Sequence, residues 1–361
     1  MDIRKGSLGL VAEIVLGIYN NKKVLVTGHT GFKGTWLCHV LLHAGADVTG
    51  YALESPTNPS LFKQTGLENR IHSIIADVRD RERLLQAVRE AKPDMVFHLA
   101  AQPLVRLSYR EPAVTYETNV MGTVNILEAV RFTPSVRSFV NVTTDKVYEN
   151  KEWHWGYREN ENLMGYDPYS NSKSCSELVT YSYRNSFFRD EDSSAVSTAR
   201  AGNVIGGGDY SEDRIIPDCV RAVGAGKEIL VRNPYSVRPY QHVLDCLSGY
   251  LLLAAKQYDD KKFAGNYNFG PDEDDCIATG KLAALFCGVW GDGASWRIEG
   301  DGGPHEANFL KLDCSKAKAV LGWKPRWNIR DAIEKTVVFA KADIDTRQLV
   351  ENQMQEYFGV P

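Results

Sequence analysis

A strand, a glycine-rich turn and a helix near the start of the chain constrain the fold most. Residues 22–28 (KKVLVTG) form an apolar, β-branched run, and residues 35–43 space their apolar side chains like a helix. Between them, Gly28, Gly31 and Gly34 follow a GxxGxxG spacing. Such glycines allow a tight turn and let a diphosphate rest on the helix N-terminus. The pattern predicts a dinucleotide-binding turn, although an ordinary strand-to-helix turn also uses glycines.

Strands and amphipathic helices then alternate through the first half of the chain. Further strands are predicted at residues 47–53, 74–77, 95–99 and 138–142, and helices at residues 81–91 and 118–132. This alternation predicts the α/β class, with a doubly wound, Rossmann-type parallel sheet. After about residue 200, glycine- and proline-containing loops predict a smaller, mixed α/β substrate-binding lobe.

The same reading predicts where the domains begin and end. The Rossmann domain is predicted at residues 22–200, with a returning segment at about 239–269. The smaller lobe is predicted at residues 201–238 and 270–345. Residues 1–21 form an N-terminal extension of unknown role, read as an extra helix or a leader, whose apolar stretch is too short to span a bilayer.

Composition narrows the classes of partner. The formal net charge of -4 gives no general attraction to nucleic acid or to an anionic membrane, so neither is predicted as a partner. The 7 cysteines are scattered and never form a CxxC pair, which argues against a disulfide framework and against a zinc site. We therefore expect no metal, and a cytoplasmic location.

Two acidic residues follow the second and third predicted strands. Glu54 lies about twenty residues beyond the glycine turn, where a carboxylate binds the ribose hydroxyls of NAD and repels the extra phosphate of NADP. A solvated loop glutamate is the alternative. Asp77 is predicted to face the adenine, to cap the following helix, or to do both. Together with the turn, these residues favour NAD as the cofactor.

A tyrosine and a lysine are spaced for proton transfer. Tyr169 and Lys173 stand at positions i and i+4, so on a helix they share one face. A nearby ammonium and the positive nicotinamide would lower the pKa of the phenol and let Tyr169 take a proton from a sugar hydroxyl. An exposed helical pair without chemistry is the alternative for this common spacing.

A second polar group ends the strand predicted at residues 138–142. Thr144 is placed to bond the same substrate oxygen as Tyr169, and Asp145 and Lys146 add an acid and a base that simple hydride transfer does not need. The alternative is a turn with a capping aspartate and a solvated lysine.

Six segments together resemble one known family. They are GHTGFKG (28–34), HLAAQ (98–102), TNVMGT (118–123), TTDKVY (143–148), YDPYSNSK (166–173) and ARAGNVIGGGD (199–209). From about residue 22 to about 327 the chain resembles the extended short-chain dehydrogenase/reductase family. Lys146 stands where most sugar-nucleotide 4,6-dehydratases of this family carry glutamate. That lysine, the glycine turn and residues 206–218 and 232–245 resemble the members that act on CDP-glucose. The long apolar lead departs from the family.

The resemblance implies conversion of CDP-glucose to CDP-4-keto-6-deoxyglucose on one bound NAD, an early step toward dideoxy sugars of bacterial surface polysaccharides. It implies that Tyr169, helped by Lys173 and Thr144, deprotonates the carbon 4 hydroxyl. Asp145 would protonate the departing carbon 6 hydroxyl. Lys146 would take the carbon 5 proton or stabilise the enolate electrostatically.

The resemblance also implies binding residues and an assembly. The implied cofactor contacts are Gly28, His29, Thr30, Gly31, Phe32, Lys33, Gly34, Glu54, Asp77, Val78, Leu99, Ala100, Ala101, Gln102, Asn119, Tyr169 and Lys173. The implied substrate contacts are Gln102, Arg106, Asn203, Arg214, Arg232, Arg238 and His242. Guanidinium groups suit a diphosphate, Arg238 above all. By analogy, the helices predicted at 118–132 and 169–188 would pair in a homodimer or homotetramer.

Three other functions remain open from the sequence. A sugar-nucleotide epimerase shares Tyr169 and Lys173 but has no use for an acid–base pair at 145–146. A GDP-mannose dehydratase is expected to prefer NADP and an Asp-Glu pair. A non-catalytic nucleotide sensor keeps the fold but does not need the catalytic residues.

Overall fold

A parallel sheet of seven strands is the centre of the structure. The structure is a computed structural model and describes residues 17–300 and 307–359. The sheet strands are β1 (Lys23–Thr27), β2 (Asp47–Ala52), β3 (His72–Ile75), β4 (Met95–His98), β5 (Ser138–Val142), β6 (Ala195–Ala201) and β11 (Asn266–Phe269). They lie in the order β3-β2-β1-β4-β5-β6-β11, and every neighbouring pair is parallel. The predicted fold class is confirmed. Residues 1–16 of the predicted extension lie outside the described residues.

Alternate side chains of the central strands enter two separate cores. On β1, Val24 and Val26 join one core, whereas Leu25 joins the other. β4 repeats the pattern, because Phe97 packs in the first core and Val96 in the second. Helices therefore cover both faces, and the central strands are apolar throughout, as a buried parallel sheet requires.

Helices of up to 20 residues connect and cover these strands. The α-helices are Phe32–His43, Leu61–Gln64, Arg81–Ala91, Val105–Arg110, Pro112–Tyr116, Gly122–Arg131, Pro168–Phe187, Ile215–Gly224, Val243–Asp259, Thr279–Trp290, Ile329–Lys341 and Thr346–Phe358. π-helical turns lie at Glu117–Met121 and Ala317–Leu321, and single 3₁₀ turns at Leu67–Asn69, Asp145–Val147, Lys261–Phe263 and Glu273–Asp275.

Short strands build a second layer beyond the carboxyl ends of the sheet strands. They are β7 (Val204–Ile205), β8 (Ile229–Val231), β9 (Val237–Pro239), β10 (Gln241–His242), β12 (Cys276–Ala278) and β13 (Trp296–Ile298). They pair as β7 with β10, β8 with β13, and β9 with β12. A third core, with Ile216, Phe286 and Ile333 among its buried residues, lies beneath them.

Two predicted boundaries are wrong. The strand predicted at 74–77 is His72–Ile75, so Asp77 follows the strand instead of ending it. The helix predicted at 118–132 begins earlier, because the α-helix Pro112–Tyr116 runs directly into the π-helical turn Glu117–Met121 and on into the α-helix Gly122–Arg131.

The order of the strands determines where ligands can enter. The chain runs outward from β1 through β2 to β3, and then returns to place β4 on the other side of β1. Connections on either side of this point leave in opposite directions, which opens a crevice at the carboxyl ends of β1 and β4.

Candidate active site

An open cleft of about 290 Å³ lies beyond the carboxyl ends of the sheet strands. Its walls come from the helix after β1, the segment after β5, the start of the helix Pro168–Phe187, and loops after β6 and β8. The predicted residues that line it are Lys33, Arg106, Thr144, Asp145, Lys146, Tyr169, Asn203, Arg214, Arg232 and Arg238. The structure thus brings most predicted catalytic and substrate residues together.

The glycine turn leaves the first amides of the helix Phe32–His43 without a side-chain cap. A Cβ on Gly34 would lie 2.1 Å from the carbonyl oxygen of Gly28, so the helix packs on the turn at a distance that only glycine permits. A Cβ on the N-cap residue Gly31 would meet nothing nearer than that same oxygen, at 3.5 Å. Open space beside uncapped amides fits the diphosphate of a dinucleotide.

The side chains of the turn differ in what they contact. His29 is buried, and its Nε2 lies 2.7 Å from the Ser73 hydroxyl, while Thr30 donates to the carbonyl of Leu53 at 2.9 Å. Both bonds tie the turn to β2 and β3. The ammonium of Lys33 instead reaches the cleft.

The two predicted acidic residues lie beside the turn. Glu54 is exposed, two residues after β2 ends. Asp77 accepts hydrogen bonds from the Nε and Nη2 atoms of Arg79, at 2.9 and 2.7 Å. The alternative role of Asp77 as helix N-cap is wrong, because Asp80 caps that helix by accepting from the Arg83 amide.

Hydrogen bonds to the side chains of Thr27 and Asn119 hold the loop after β4. Thr27 accepts from the amides of Leu99 and Ala100, both at 3.2 Å. Asn119 accepts from the Gln102 amide at 2.8 Å and donates to its carbonyl at 3.1 Å. The side-chain amide of Gln102 bonds within this region, and neither Gln102 nor Asn119 is among the described residues that line the cleft. These bonds hold the Gln102 side chain in place, and its substrate contact stays a prediction. Val78 is buried, and Leu99, Ala100 and Ala101 are half-buried, at this edge.

Tyr169 and Lys173 lie on one face of the helix Pro168–Phe187, whose first turn is capped by Asp167. Lys173 is buried and donates from Nζ to the carbonyl of Val142 at 3.2 Å. The Tyr169 phenol lies beside the Thr144 side chain. The helix therefore delivers both groups to the end of β5.

The ionisation of this pair differs from the expectation. Burial raises the pKa of Tyr169 to about 12, against the bond to Thr144 and the charge of Arg214. Burial and the charge of Lys33 lower the pKa of Lys173 to about 7. The expected lowering of the tyrosine pKa is not seen, because loss of solvent outweighs the nearby positive charges.

Asp145 is a buried acid at the centre of the cleft. Its Oδ1 accepts from the Thr144 hydroxyl at 2.9 Å, and its Oδ2 has no hydrogen-bond partner among the described residues. Burial raises its pKa, although the charge of Lys146 opposes the shift. A buried carboxyl group with a raised pKa in the wall of a cleft is suited to general acid catalysis.

Arginines from the second layer form the far wall of the cleft. Arg238 is buried and donates to the backbone carbonyls of Val237 and Ala307. Arg214 pairs with Asp209 at 3.2 Å. Arg232 pairs with Asp213 at 2.8 Å and with Asp218 at 3.3 Å. Two further predicted residues share this wall: Arg106 lies 3.8 Å from Asp213, and Asn203 is half-buried.

His242 does not belong to this wall. It is fully buried, its ring lies 4.7 Å from that of Trp327, and its Nδ1 accepts from the Leu244 amide as the cap of the helix Val243–Asp259. The predicted substrate contact of His242 is therefore corrected, since a side chain without exposed surface cannot meet a ligand in the cleft.

Two features of the site were missed. Lys33 lines the cleft, whereas the sequence predicted it only as part of the glycine turn. Glu177 and Arg200 form a buried ion pair beneath the catalytic segment. The spacing of Glu177, one turn after Lys173 and two after Tyr169, was the available signal for the latter.

Comparison with known proteins places this site in a family. The family described as GDP-mannose 4,6 dehydratase matches residues 25–336. The chain belongs to this 4,6-dehydratase family. Its predicted membership of the extended short-chain dehydrogenase/reductase group, and its predicted class as a hydro-lyase enzyme, are confirmed.

Curated relatives of this dehydratase span most of its length. The CDP-glucose 4,6-dehydratase of Salmonella typhimurium is 50% identical over 329 residues, which cover 90% of this chain and 92% of the relative. The dTDP-glucose 4,6-dehydratase of Streptomyces antibioticus is 29% identical over 324 residues, covering 87% and 91%.

Solved structures share the dehydratase fold. The UDP-glucuronic acid 4-epimerase of Bacillus cereus, in complex with UDP-glucuronic acid and NAD, has a TM-score of 0.77 at 23% identity, covering 88% of this chain and 98% of the other. The dTDP-glucose 4,6-dehydratase of Bacillus anthracis, in complex with NAD, has a TM-score of 0.76 at 21% identity, covering 89% and 96%. Across residues 17–300 and 307–359, no helix is both long and apolar enough to cross a membrane.

Proposed function

We propose that this chain removes water from CDP-glucose to give CDP-4-keto-6-deoxyglucose, using a bound NAD that is regenerated in each turnover. The observation that carries the proposal is Asp145, a buried acid with a raised pKa beside Thr144 and Tyr169. The 50% identity to a CDP-glucose 4,6-dehydratase supports the choice of nucleotide.

The residues that would hold NAD are the amides at the glycine turn, with Glu54 at the end of β2 placed for the ribose. When bound, NAD supplies the hydride acceptor for carbon 4 and the hydride donor for carbon 6. The open amides of the first helical turn would hold its diphosphate. Lys173, whose Nζ donates to the carbonyl of Val142 at the end of β5, would orient a ribose of NAD.

The protein side chains move three protons. Tyr169, beside Thr144, takes the proton of the carbon 4 hydroxyl, because the positive charge of bound NAD would oppose the effect of burial on the phenol pKa. The ketone that results makes the hydrogen on carbon 5 acidic. Lys146 takes that hydrogen as a proton, and the charge it then carries stabilises the enolate. It gives the proton back to carbon 5 when hydride reaches carbon 6. Asp145 gives its proton to the carbon 6 hydroxyl, which leaves as water. The burial of Asp145, which raises its pKa, suits this last step.

The arginine wall would hold the substrate diphosphate. Arg238 is the strongest candidate, because it is buried and its charge already acts on Asp145. Arg214 and Arg232 are now paired with carboxylates, so a diphosphate would compete with those carboxylates for the guanidinium groups. Arg106 and Asn203 would complete the wall.

Cofactor and substrate would bind to different lobes. Residues 22–200, with the segment 239–269, would bind NAD, and residues 201–238 and 270–345 would bind the nucleotide sugar. A cytoplasmic location and a place in the synthesis of dideoxy sugars for an O-antigen accord with the scattered cysteines and with the substrate.

We also propose a homodimer or homotetramer. The helix Pro168–Phe187 exposes Leu178, Tyr181 and Phe187 at 52%, 57% and 44%, and the neighbouring Met121 and Phe132 are exposed at 49% and 44%. Apolar side chains at this spacing favour contact with a second copy.

The test is to incubate the purified protein with CDP-, dTDP-, UDP- and GDP-glucose and with GDP-mannose, without and then with added NAD. We expect the mass of one water to be lost from CDP-glucose alone, with no net reduction of NAD. Asp145→Asn keeps the shape but removes the acid, and should slow water loss about 100-fold or more. Asp47→Asn, at an exposed position, is the matched control.

Other outcomes would overturn the proposal. An unchanged mass with inversion of a sugar carbon would favour an epimerase. Water loss from another nucleotide sugar would correct the substrate, and no reaction with any of them would favour a nucleotide sensor.

A further inference from the structure

A buried ion pair lies beneath the catalytic residues. The side chains of Glu177 and Arg200 are 1% and 0% exposed. Arg200 donates from Nε to one carboxylate oxygen and from Nη2 to the other, both at 2.9 Å. Parallel bonds of this kind fix the relative orientation of the two groups as well as their distance.

Each member of the pair holds one end of the segment that carries the acid and the base. Thr143 donates to Glu177 Oε1 at 2.5 Å, and Arg200 Nη1 donates to the hydroxyl of Tyr148 at 2.7 Å. Between Thr143 and Tyr148 lie Thr144, Asp145, Lys146 and Val147. The catalytic segment is thus tied down on both sides.

The pair also joins this segment to the second group of catalytic residues. Glu177 belongs to the helix Pro168–Phe187, one turn beyond Lys173 and two turns beyond Tyr169. Arg200 belongs to β6, and Thr198 on the same strand donates to Glu177 Oε2 at 2.7 Å. The helix, the strand and the catalytic segment therefore meet at one carboxylate.

The cost of such a pair argues for a role other than stability alone. Removing two charges from water is expensive, and apolar side chains of the same volume often stabilise a core as well. The hydrogen bonds around the pair each require a particular direction between donor and acceptor. What the pair provides that apolar residues cannot is a fixed geometry between three elements.

We propose that Glu177 and Arg200 are positioning residues that hold Thr144, Asp145 and Lys146 in register with Tyr169 and Lys173. The inference rests on the proposed function for the reaction it serves. Tyr169 and Lys173 act in the oxidation at carbon 4, whereas Asp145 and Lys146 act in the loss of water. Loosening the segment should therefore slow water loss more than oxidation.

The charge of Glu177 adds an electrostatic effect. Burial alone would raise the pKa of Glu177, but Arg200 and the threonine hydroxyls hold it below its usual range, so the carboxylate is ionised. That negative charge opposes the lowering of the Lys173 pKa by burial and by Lys33. Loss of the charge should lower the Lys173 pKa further.

The main experiment loosens one end at a time without removing a charge. Tyr148→Phe deletes the hydroxyl that binds Arg200, and Thr143→Val deletes the one that binds Glu177. Tyr19→Phe is the matched control, because it deletes a buried hydroxyl that donates to the carbonyl of Leu251 at 2.7 Å and does not line the cleft. Each protein is assayed for kcat, for KM and for the fraction of bound cofactor that is reduced during turnover.

We expect kcat to fall about 10- to 100-fold in Tyr148→Phe and Thr143→Val, since small misplacements of reacting groups cost factors of this size. KM should change by no more than about threefold, and reduced cofactor should accumulate, because oxidation outpaces water loss. Tyr19→Phe should keep the wild-type kcat. If both variants match Tyr19→Phe in kcat and in reduced cofactor, the positioning role is wrong.

Glu177→Gln tests the charge. The kcat/KM profile of this variant should have its Lys173-dependent limb at lower pH than wild type, a shift that a purely structural residue would not cause. An unshifted limb would overturn the electrostatic part. Should Glu177→Gln fail to fold, the Tyr148 and Thr143 variants still decide the positioning role.

Failure of the proposed function is seen separately, in the wild-type protein. If wild type removes water from no nucleotide sugar, crystal structures of wild type and Tyr148→Phe decide the positioning role. A shift of the Asp145 carboxyl relative to the Tyr169 hydroxyl would support it, and coincident positions would overturn it.

Discussion

Lys33 and Lys173 bring two positive charges to the same region of the cleft. Lys173 is fixed by its bond to Val142, whereas Lys33 comes from the glycine-turn helix on the other side. Burial lowers the pKa of both residues, and the charge of Lys33 adds to the effect on Lys173. At the scale of single residues, the pKa of Lys173 therefore depends on burial first, and also on a side chain outside the Tyr-Lys pair.

Lys33→Met should raise the Lys173 pKa above its present value of about 7, because a repelling positive charge is lost. The limb of the kcat/KM profile that follows Lys173 should move to higher pH, by up to about one unit. Lys33→Arg keeps the charge and should leave the limb near its wild-type position. A limb that does not move in Lys33→Met would show that the two charges do not interact.

At the scale of elements, the glycine-turn helix depends on contact between backbones. The Cβ of any residue at position 34 would lie 2.1 Å from the carbonyl oxygen of Gly28, which belongs to the backbone and cannot rotate away. The helix start, the turn and β1 therefore form one unit, and its geometry suits the proposed anion site.

Gly34→Ala should force the helix away from the turn, lower the free energy of unfolding by about 1–3 kcal/mol and abolish tight NAD binding. Gly224→Ala is the matched control, since a Cβ there would meet nothing within 4 Å. Chemical denaturation and NAD titration by calorimetry measure both effects. Wild-type affinity for NAD in Gly34→Ala would contradict the assignment of the turn.

The elements were predictable where local pattern determines them. The helix Arg81–Ala91 and the strand Ser138–Val142 have the predicted bounds, because apolar spacing and flanking polar residues agree there. The catalytic residues were predictable from motif spacing. The burial of His242 and the inward bonds of Gln102 were not, because both depend on segments that approach only in the folded chain.

At the scale of the whole molecule, one carboxyl group connects distant parts of the chain. Asp245, in the helix Val243–Asp259, accepts from the Arg326 amide at 2.6 Å and from the Tyr357 hydroxyl of the C-terminal helix at 2.8 Å. Its Oδ2 has no hydrogen-bond partner among the described residues. Burial raises its pKa to about 7, against these bonds.

Stability should therefore fall as pH rises from about 4 to about 7. In this range the unfolded chain has already lost the Asp245 proton, at its ordinary pKa near 4, while the folded chain still holds it. Asp245→Asn removes this titrating group. Over the same pH range, the free energy of unfolding of the variant should therefore fall by up to about 4 kcal/mol less than that of wild type. Urea denaturation gives the free energy of unfolding of each protein at pH 5 and at pH 8. An equal fall between the two pH values in both proteins would show that Asp245 is ionised throughout.

The parallel sheet has a consequence for how the chain is made. β11, at residues 266–269, pairs with β6, which ends at Ala201, so one edge of the sheet stays unpaired until synthesis has passed Phe269. Parallel pairing joins segments far apart in sequence and is slow for that reason. A nascent chain on the ribosome therefore presents a bare strand edge for much of its translation, and it is in this interval that chaperones would have the most to protect.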